Sequence, residues 1–181
     1  MMGDLSLHIL DIAENAISAG ATRIAIAVNA NEKRDVLTIR LTDDGPGMSE
    51  ETTGLAFDPF FTTKGKRTGL GIPLLAQAAE HCGGKMSITS AAGRGTKVTA
   101  TFRLRHIDRP PLTNMKGTLM TLVFGHPEIG FHYRHTQNGR AFRFASRRYF
   151  GKSRAPFRAD PGLIGIIEKE LRSGLEKIGA S

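Results

Sequence analysis

The chain has 181 residues, 40% hydrophobic and 23% charged, which suits one ordinary domain or a domain with a modest appendage. Its apolar runs fall far short of the ~20 residues that cross a bilayer, and an acid rather than a basic cluster precedes the first of them, against a secretory leader. The net charge of +8 is uneven: residues 1–105 hold 12 Lys/Arg against 11 Asp/Glu, and residues 106–181 hold 13 against 6. One cysteine, Cys82, has no partner for an internal disulfide and fits a reducing cytoplasm. Beside His81 it reads as a buried thiol at a helix end rather than a metal ligand.

Residues 4–19 are expected to form a helix, with Leu5, Ile9, Ile12, Ala13, Ala16 and Ile17 at helical spacing and Gly20 to stop it. Thr22–Asn29 and Val36–Thr42 alternate apolar and other residues and read as strands around the polar turn 31–35. Residues 43–71 are glycine-rich, with a short helix expected over 49–56 behind the capping Ser49. A helix opens near Ile72, with Pro73 in its first turn, and stops at Gly83-Gly84. Lys85–Ser90 and Thr96–Leu104 read as strands joined by AAGRG. The order α-β-β-loop-α-β-β predicts an α/β two-layer sandwich, a mixed sheet with helices on one face.

The segment HIDRPP, 106–111, continues neither strand nor helix, and the domain boundary is placed there. Residues 1–105 form one unit, and 106–181 a basic α+β appendage. Within the appendage, Leu112, Met115, Leu119, Leu122 and Val123 suggest a short helix. Ile129–His135 and Arg140–Ala145 form a hairpin around Gln137-Asn138-Gly139, and Asp160-Pro161 starts a last helix.

Three stretches carry candidate chemistry. Asn15 lies on an otherwise apolar helix face, where its amide costs free energy unless satisfied. A Mg²⁺ ion beside phosphates would satisfy it, and a place on the exposed edge is the plainer reading. Asp43-Asp44-Gly45-Pro46-Gly47-Met48 follows a strand. A buried carboxylate there accepts from an exocyclic amine such as that of adenine, the glycines let backbone approach a flat ring, and Met48 adds a soft wall. An ordinary surface turn explains the same residues. Thr62 to Gly71, leading into the helix at Ile72, combines glycines, Lys64, Lys66 and Arg67 with free helix-start amides: an anion site, or a solvated basic loop.

Taken in order, ENAISAGAT, DDGPGM, FDPFFTTK, GLG and GRGT resemble the five boxes of the GHKL superfamily of ATPases. That group joins gyrase-type topoisomerases, a heat-shock chaperone, mismatch-repair ATPases and histidine kinases. The resemblance covers about 100 residues and implies a Bergerat-type ATP-binding fold with ATP and Mg²⁺ as cofactors. By it, Asn15 ligates Mg²⁺, Asp43 binds the adenine amine, and Gly45, Gly47 and Met48 line the base pocket. Gly69, Leu70 and Gly71 hold phosphates, Lys64 reaches them from a lid, and Thr96 assists at the base.

The first box is similar to that of mismatch-repair ATPases, and FDPFFTTK with GLG to that of histidine kinases. In the hydrolytic branch a glutamate four residues before the asparagine acts as general base. Asp11 holds that place here, one helical turn from Asn15 but ~1.5 Å shorter in reach. It reads either as the base, directly or through a water, or as a metal-shell or capping group. Only seven residues precede His8, which leaves no room for an upstream phosphoacceptor hairpin, so an autophosphorylating sensor kinase is not expected. A small serine kinase of the anti-sigma type, acting on a partner protein, remains open.

In the appendage, His132 and His135 would point to opposite strand faces, which disfavours a metal shared with His126. Residues 131–160 hold eight Arg/Lys and one acid, interleaved with aromatics. They suit either nucleic-acid binding through phosphates and stacking, or a small cap with aromatics in its core and arginines in solvent, and the second is favoured. The expectation is therefore a cytoplasmic ATP·Mg-binding regulatory protein with slow hydrolysis or phosphotransfer to a protein partner. The alternative is a non-catalytic ATP-sensing adaptor or nucleic-acid-binding module.

Overall fold

A computed structural model describes residues 3–58, 71–150 and 160–180. Helix α1 (Leu5–Ser18) is followed by β1 (Arg23–Asn31), β2 (Val36–Asp43), the short α2 (Glu50–Leu55) and α3 (Gly71–His81). Then come β3 (Lys85–Ser90), β4 (Thr96–Arg103), α4 (Met115–Gly125), β5 (Gly130–Gln137), β6 (Arg140–Ala145), the single turn α5 (Arg147–Phe150) and α6 (Pro161–Ile178).

The six strands form one mixed sheet in the order β3-β4-β2-β1-β5-β6. All neighbours are antiparallel except β1 and β5. Strand periodicity sends alternate residues to one face, and the registers line them up across the sheet. One row reads Ile88, Val98, Leu41, Ile26, Tyr133, Phe144; the next reads Met86, Ala100, Ile39, Val28, His135, Phe142. Helices α1, α3, α4 and α6 cover this face. Leu5, Ile9, Leu75, Leu119, Leu122, Ile167 and Leu171 are fully buried against it, each worth ~1.5–3 kcal/mol of transfer free energy.

The segment 106–111 is a loop, and the chain beyond it rejoins the same sheet. Strand β5 runs beside β1 from Arg23↔Gly130 to Ala30↔Gln137. The N-cap Asp4 makes a second connection: its carboxylate accepts from the Ser6 amide at 2.7 Å and from the Thr113 amide at 2.9 Å. Leu5 N–H donates to the Pro111 carbonyl at 2.8 Å. Glu14 on α1 pairs with His126 Nε2, 3.1 Å away, just past α4. The start of the site-bearing helix is thus held by residues from the second half of the chain. The hairpin turn has Asn138 and Gly139 both at positive φ, as a two-residue turn between twisted strands requires.

Candidate functional site

The middle of α1 meets the start of α3, and the stretch just past its C-terminus meets the loop after β2. Near its middle, Asp11 is exposed and Asn15, one turn on, is half-buried. The first residue of α3, Gly71, lies so close to Asp11 that a β-carbon there would overlap the carboxylate. Glycine is therefore the side chain that lets the N-terminus of α3, with its unsatisfied amides, come up against α1. Asp11 makes no hydrogen bond among the described residues. Its resolved electrostatic effect is on His8, whose pKa is lowered by burial and partly restored by Asp11 and Asp4.

Just past the end of α1, a β-carbon on Gly45 would come within 3.7 Å of Ala21 and 2.9 Å of the Asp43 carboxylate. The preceding residue pair, Asp43-Asp44, divides its labour. Asp44 accepts from Thr22 N–H at 2.8 Å and Arg23 N–H at 2.7 Å, and pairs with Arg23 Nε at 3.0 Å. Burial raises its pKa, but these donors outweigh that and hold it well below the carboxylate range. Asp43 points the other way. It is half-buried, and burial is the largest influence on its carboxyl, raising its pKa. The Gly45 amide, at 2.8 Å, and the Thr96 amide pull against that rise, while the nearby Asp44 charge adds to it. A partly desolvated carboxylate with acceptor capacity left suits a neutral donor such as an amine.

The DDGPGM turn and the turn between β3 and β4 fit backbone to backbone. Gly47, at φ 68°, faces the Ala91 carbonyl, and Gly95, at φ 73°, faces the Asp43 carbonyl; a β-carbon on either would collide with it. Gly93 N–H donates to the Pro46 carbonyl at 2.6 Å. Ser90 ties the two turns together. Its hydroxyl accepts from Met48 N–H at 2.8 Å, donates to the Gly95 carbonyl at 2.9 Å, and lies 2.9 Å from Thr96 Oγ1. Sequence reasoning missed Ser90, because a serine closing a strand before a turn carries no signal of what it will touch.

Of the residues singled out from sequence, Asp43, Gly45, Gly47, Met48 and Thr96 are gathered in this loop pair, Asp11 and Gly71 meet in the α1–α3 contact, and Asn15 lies one turn past Asp11 on α1. Lys64, Gly69 and Leu70, with the FTTK stretch, lie outside the described residues. His132 is exposed and His135 buried, on opposite sheet faces. Cys82 is buried just beyond α3. The residue types present are ones a nucleotide would fit: a part-buried carboxylate in Asp43, glycine-opened backbone beside it, an amide side chain on α1 and the N-terminus of α3. No described helix is long and apolar enough to cross a membrane.

The family described as histidine kinase-, DNA gyrase B-, and HSP90-like ATPase matches residues 4–106. Sensor histidine kinase ZraS of Escherichia coli (strain K12) is 34% identical over 95 residues, 52% of this chain and 20% of that protein. Sensor protein kinase FleS of Pseudomonas aeruginosa is 36% identical over 105 residues, 58% of this chain and 26% of that protein. The chain thus spans about a quarter or less of the length of these relatives. Among solved structures, the N-terminal domain of a DNA repair protein shares the fold with a TM-score of 0.57 at 13% identity. That likeness covers 77% of this chain and 51% of the other, more of this chain than the family match over residues 4–106 spans.

Proposed function

Because the chain belongs to the histidine kinase-, DNA gyrase B-, and HSP90-like ATPase family, whose domain binds ATP, we propose that it is a Mg·ATP-dependent regulatory protein that hydrolyses ATP slowly or passes phosphate to a partner protein. The observation that carries this reading is the Asp43 carboxylate, half-buried, raised in pKa by desolvation and set between glycine turns that admit a flat ring. Asp43 accepts the adenine amine, with Gly45, Gly47 and Met48 as the walls and Thr96 beside it. Asn15 offers its amide oxygen to Mg²⁺. The N-terminus of α3 at Gly71, continuing the Gly69-Leu70 stretch, receives the phosphates, with Lys64 adding charge. Bound Mg·ATP supplies a γ-phosphoryl group ready for transfer to an acceptor oxygen.

Asp11 decides the reaction. Its exposed carboxylate, free of any hydrogen bond among the described residues, stands at the phosphate end and is placed to orient a water or take its proton. Calorimetry with Mg·ATP tests the binding half: the wild type should release or absorb heat, and Asp43→Ala should bind at least tenfold more weakly. Equal affinities would sink the purine assignment. Phosphate release by the wild type and Asp11→Asn tests the hydrolytic half, and labelled ATP with a cell extract tests transfer to a partner.

A further inference from the structure

The face of the sheet opposite the helices carries a charge pattern that nucleotide binding does not use. Side chains directed there alternate with the core rows. Crossing β3 to β6, one row reads Ser87, Thr99, Arg40, Ala27, Arg134, Arg143, and the row beside it reads Thr89, Lys97, Thr42, Ala25, His132, Ala145. The third runs Lys85, Thr101, Thr38, Asn29, Thr136, Ala141. No strand residue on this face is acidic. Arg23 and Arg103, at its margins, are held by Asp44 and Asp35. Arg40, Lys85, Lys97, Arg134 and Arg143 are exposed and make no ion pair among the described residues.

Most of the excess charge belongs to residues 106–181, with 13 Lys/Arg against 6 Asp/Glu. The sheet is continuous across that boundary: Arg134 and Arg143 from the extension share a row with Arg40 from the family-matched part, and Lys97 and Lys85 stand in the rows on either side of it. Ala25 and Ala27 on the central β1 leave a low floor, and Arg40 and Arg134, both paired in register with Ala27, rise on either side about 10 Å apart. From Lys97 on β4 to Arg143 on β6 is four strand spacings, ~19 Å.

We infer that this face binds the phosphate backbone of duplex DNA without reading sequence. A duplex carries one charge per ~1.7 Å of axis, so cations spread over ~19 Å across the strands meet it over about half a helical turn. The chemistry of the face favours a duplex over the competing partners. Phe131, Tyr133, Phe142 and Phe144 all face the core, so this face offers one ring among the described strand residues, the His132 imidazole, too little for the run of stacking rings that holds the unstacked bases of a single strand. It also lacks the large apolar anchor that concentrates energy in protein interfaces. What it offers is exposed cations with threonines between them, which suits phosphate oxygens.

Fluorescence anisotropy of the full chain with a labelled 20-base-pair duplex, without nucleotide, tests this. Five phosphate contacts predict an affinity that falls about 500-fold between 50 and 200 mM salt. The variant Arg40→Gln/Arg134→Gln/Arg143→Gln should bind at least tenfold more weakly at 50 mM and lose only about 12-fold over the same salt range. Lys169→Gln/Arg172→Gln/Lys177→Gln removes equal charge from α6, behind the sheet, and should stay within twofold of the wild type. Unchanged circular dichroism and melting temperature certify both variants as folded. Absence of duplex binding at 50 mM salt overturns the inference, as does equal loss in the two variants. Tighter binding to single-stranded DNA, or displacement of the duplex by poly-glutamate at equal charge, overturns it as well. Because the assay omits ATP, its failure leaves the nucleotide reading standing, and the reverse also holds.

Discussion

Asp11 and Gly71 touch across the gap between α1 and α3, and the contact exists only because residue 71 has no side chain. The carboxylate and the helix N-terminus are held in one place by an absence of atoms. Gly71→Ala should therefore push the Asp11 side chain to another rotamer rather than break the fold, since the far end of an exposed side chain gives way cheaply. The expected result is at least a tenfold loss of phosphate release with a stability change of about 1 kcal/mol or less, near the cost of an off-rotamer side chain. In an Asp11→Asn background the same substitution should do little more, and independent, additive losses would show that the two residues do not act together.

Asp43→Ala removes a charged acceptor, which is worth ~1.5–3 kcal/mol and hence roughly 10- to 150-fold in Mg·ATP affinity. Its pH dependence has two opposite signs. Burial raises the carboxyl pKa in the fold, so ionisation costs stability and acidification relieves that cost. Nucleotide affinity behaves the other way: it needs the carboxylate and is lost as pH falls, at a higher pH than an ordinary aspartate would dictate. Calorimetric titrations between pH 4.5 and 7.5 check this, with Asp43→Asn as the variant whose affinity should be flat with pH.

His135 predicts an acid sensitivity unrelated to the nucleotide. It sits in the core row, its Nδ1 2.8 Å from the Tyr133 hydroxyl, and lines a cavity of about 170 Å³ with Met115, Lys116, Arg172, Leu175 and Glu176. Burial lowers its pKa from 6.5 to about 4. Between those values the unfolded chain takes up a proton that the folded chain refuses, so stability falls as pH drops through this window and is level above it. The full loss is about 3 kcal/mol. Urea unfolding at pH 7 and pH 4.5 should show a steep loss for the wild type and a shallower one for His135→Gln.

Two glycines of the β3–β4 turn beside Asp43 should be unequally tolerant of a side chain. Gly93 and Gly95 share the same left-handed φ of 73°, but only Gly95 faces backbone, the Asp43 carbonyl. Gly93→Ala should cost ~1–2 kcal/mol, the ordinary penalty for a side chain in that conformation. Gly95→Ala should cost clearly more and weaken Mg·ATP binding as well, because it moves Asp43. Thermal melts with and without nucleotide separate the two effects.

Most of the elements could be read in advance, because amphipathic periodicity and glycine or proline stops mark helices and strands locally. Leu5, Ile9, Ile12 and Ala16 define α1 by spacing alone, and Asn138-Gly139 defines its hairpin. Neighbour relations are another matter. The alternation in Phe131, Tyr133 and His135 reveals which residues face inward, but no local pattern says that β5 lies parallel to β1 rather than starting a sheet of its own. The DDGPGM and GRGT motifs were visible as strings, yet the serine that joins them, Ser90, became apparent only when β3 and β4 were paired. For the basic and aromatic residues of 131–160 the favoured reading, aromatics in a core and arginines in solvent, agrees with the described strands, where Phe131, Tyr133 and Phe144 face inward and Arg134 and Arg143 outward.

Strand β1 would be a raw sheet border if the chain ended near residue 105, offering its amides and carbonyls to any passing strand. The β5–β6 hairpin moves that border outward to β6, a short strand that carries Arg140 and Arg143. Two like charges on so short a rim repel a second copy approaching in register, which protects the protein against association through its own ladder. The hairpin is in that sense a selvedge, finishing the sheet so that it does not ravel into its neighbours.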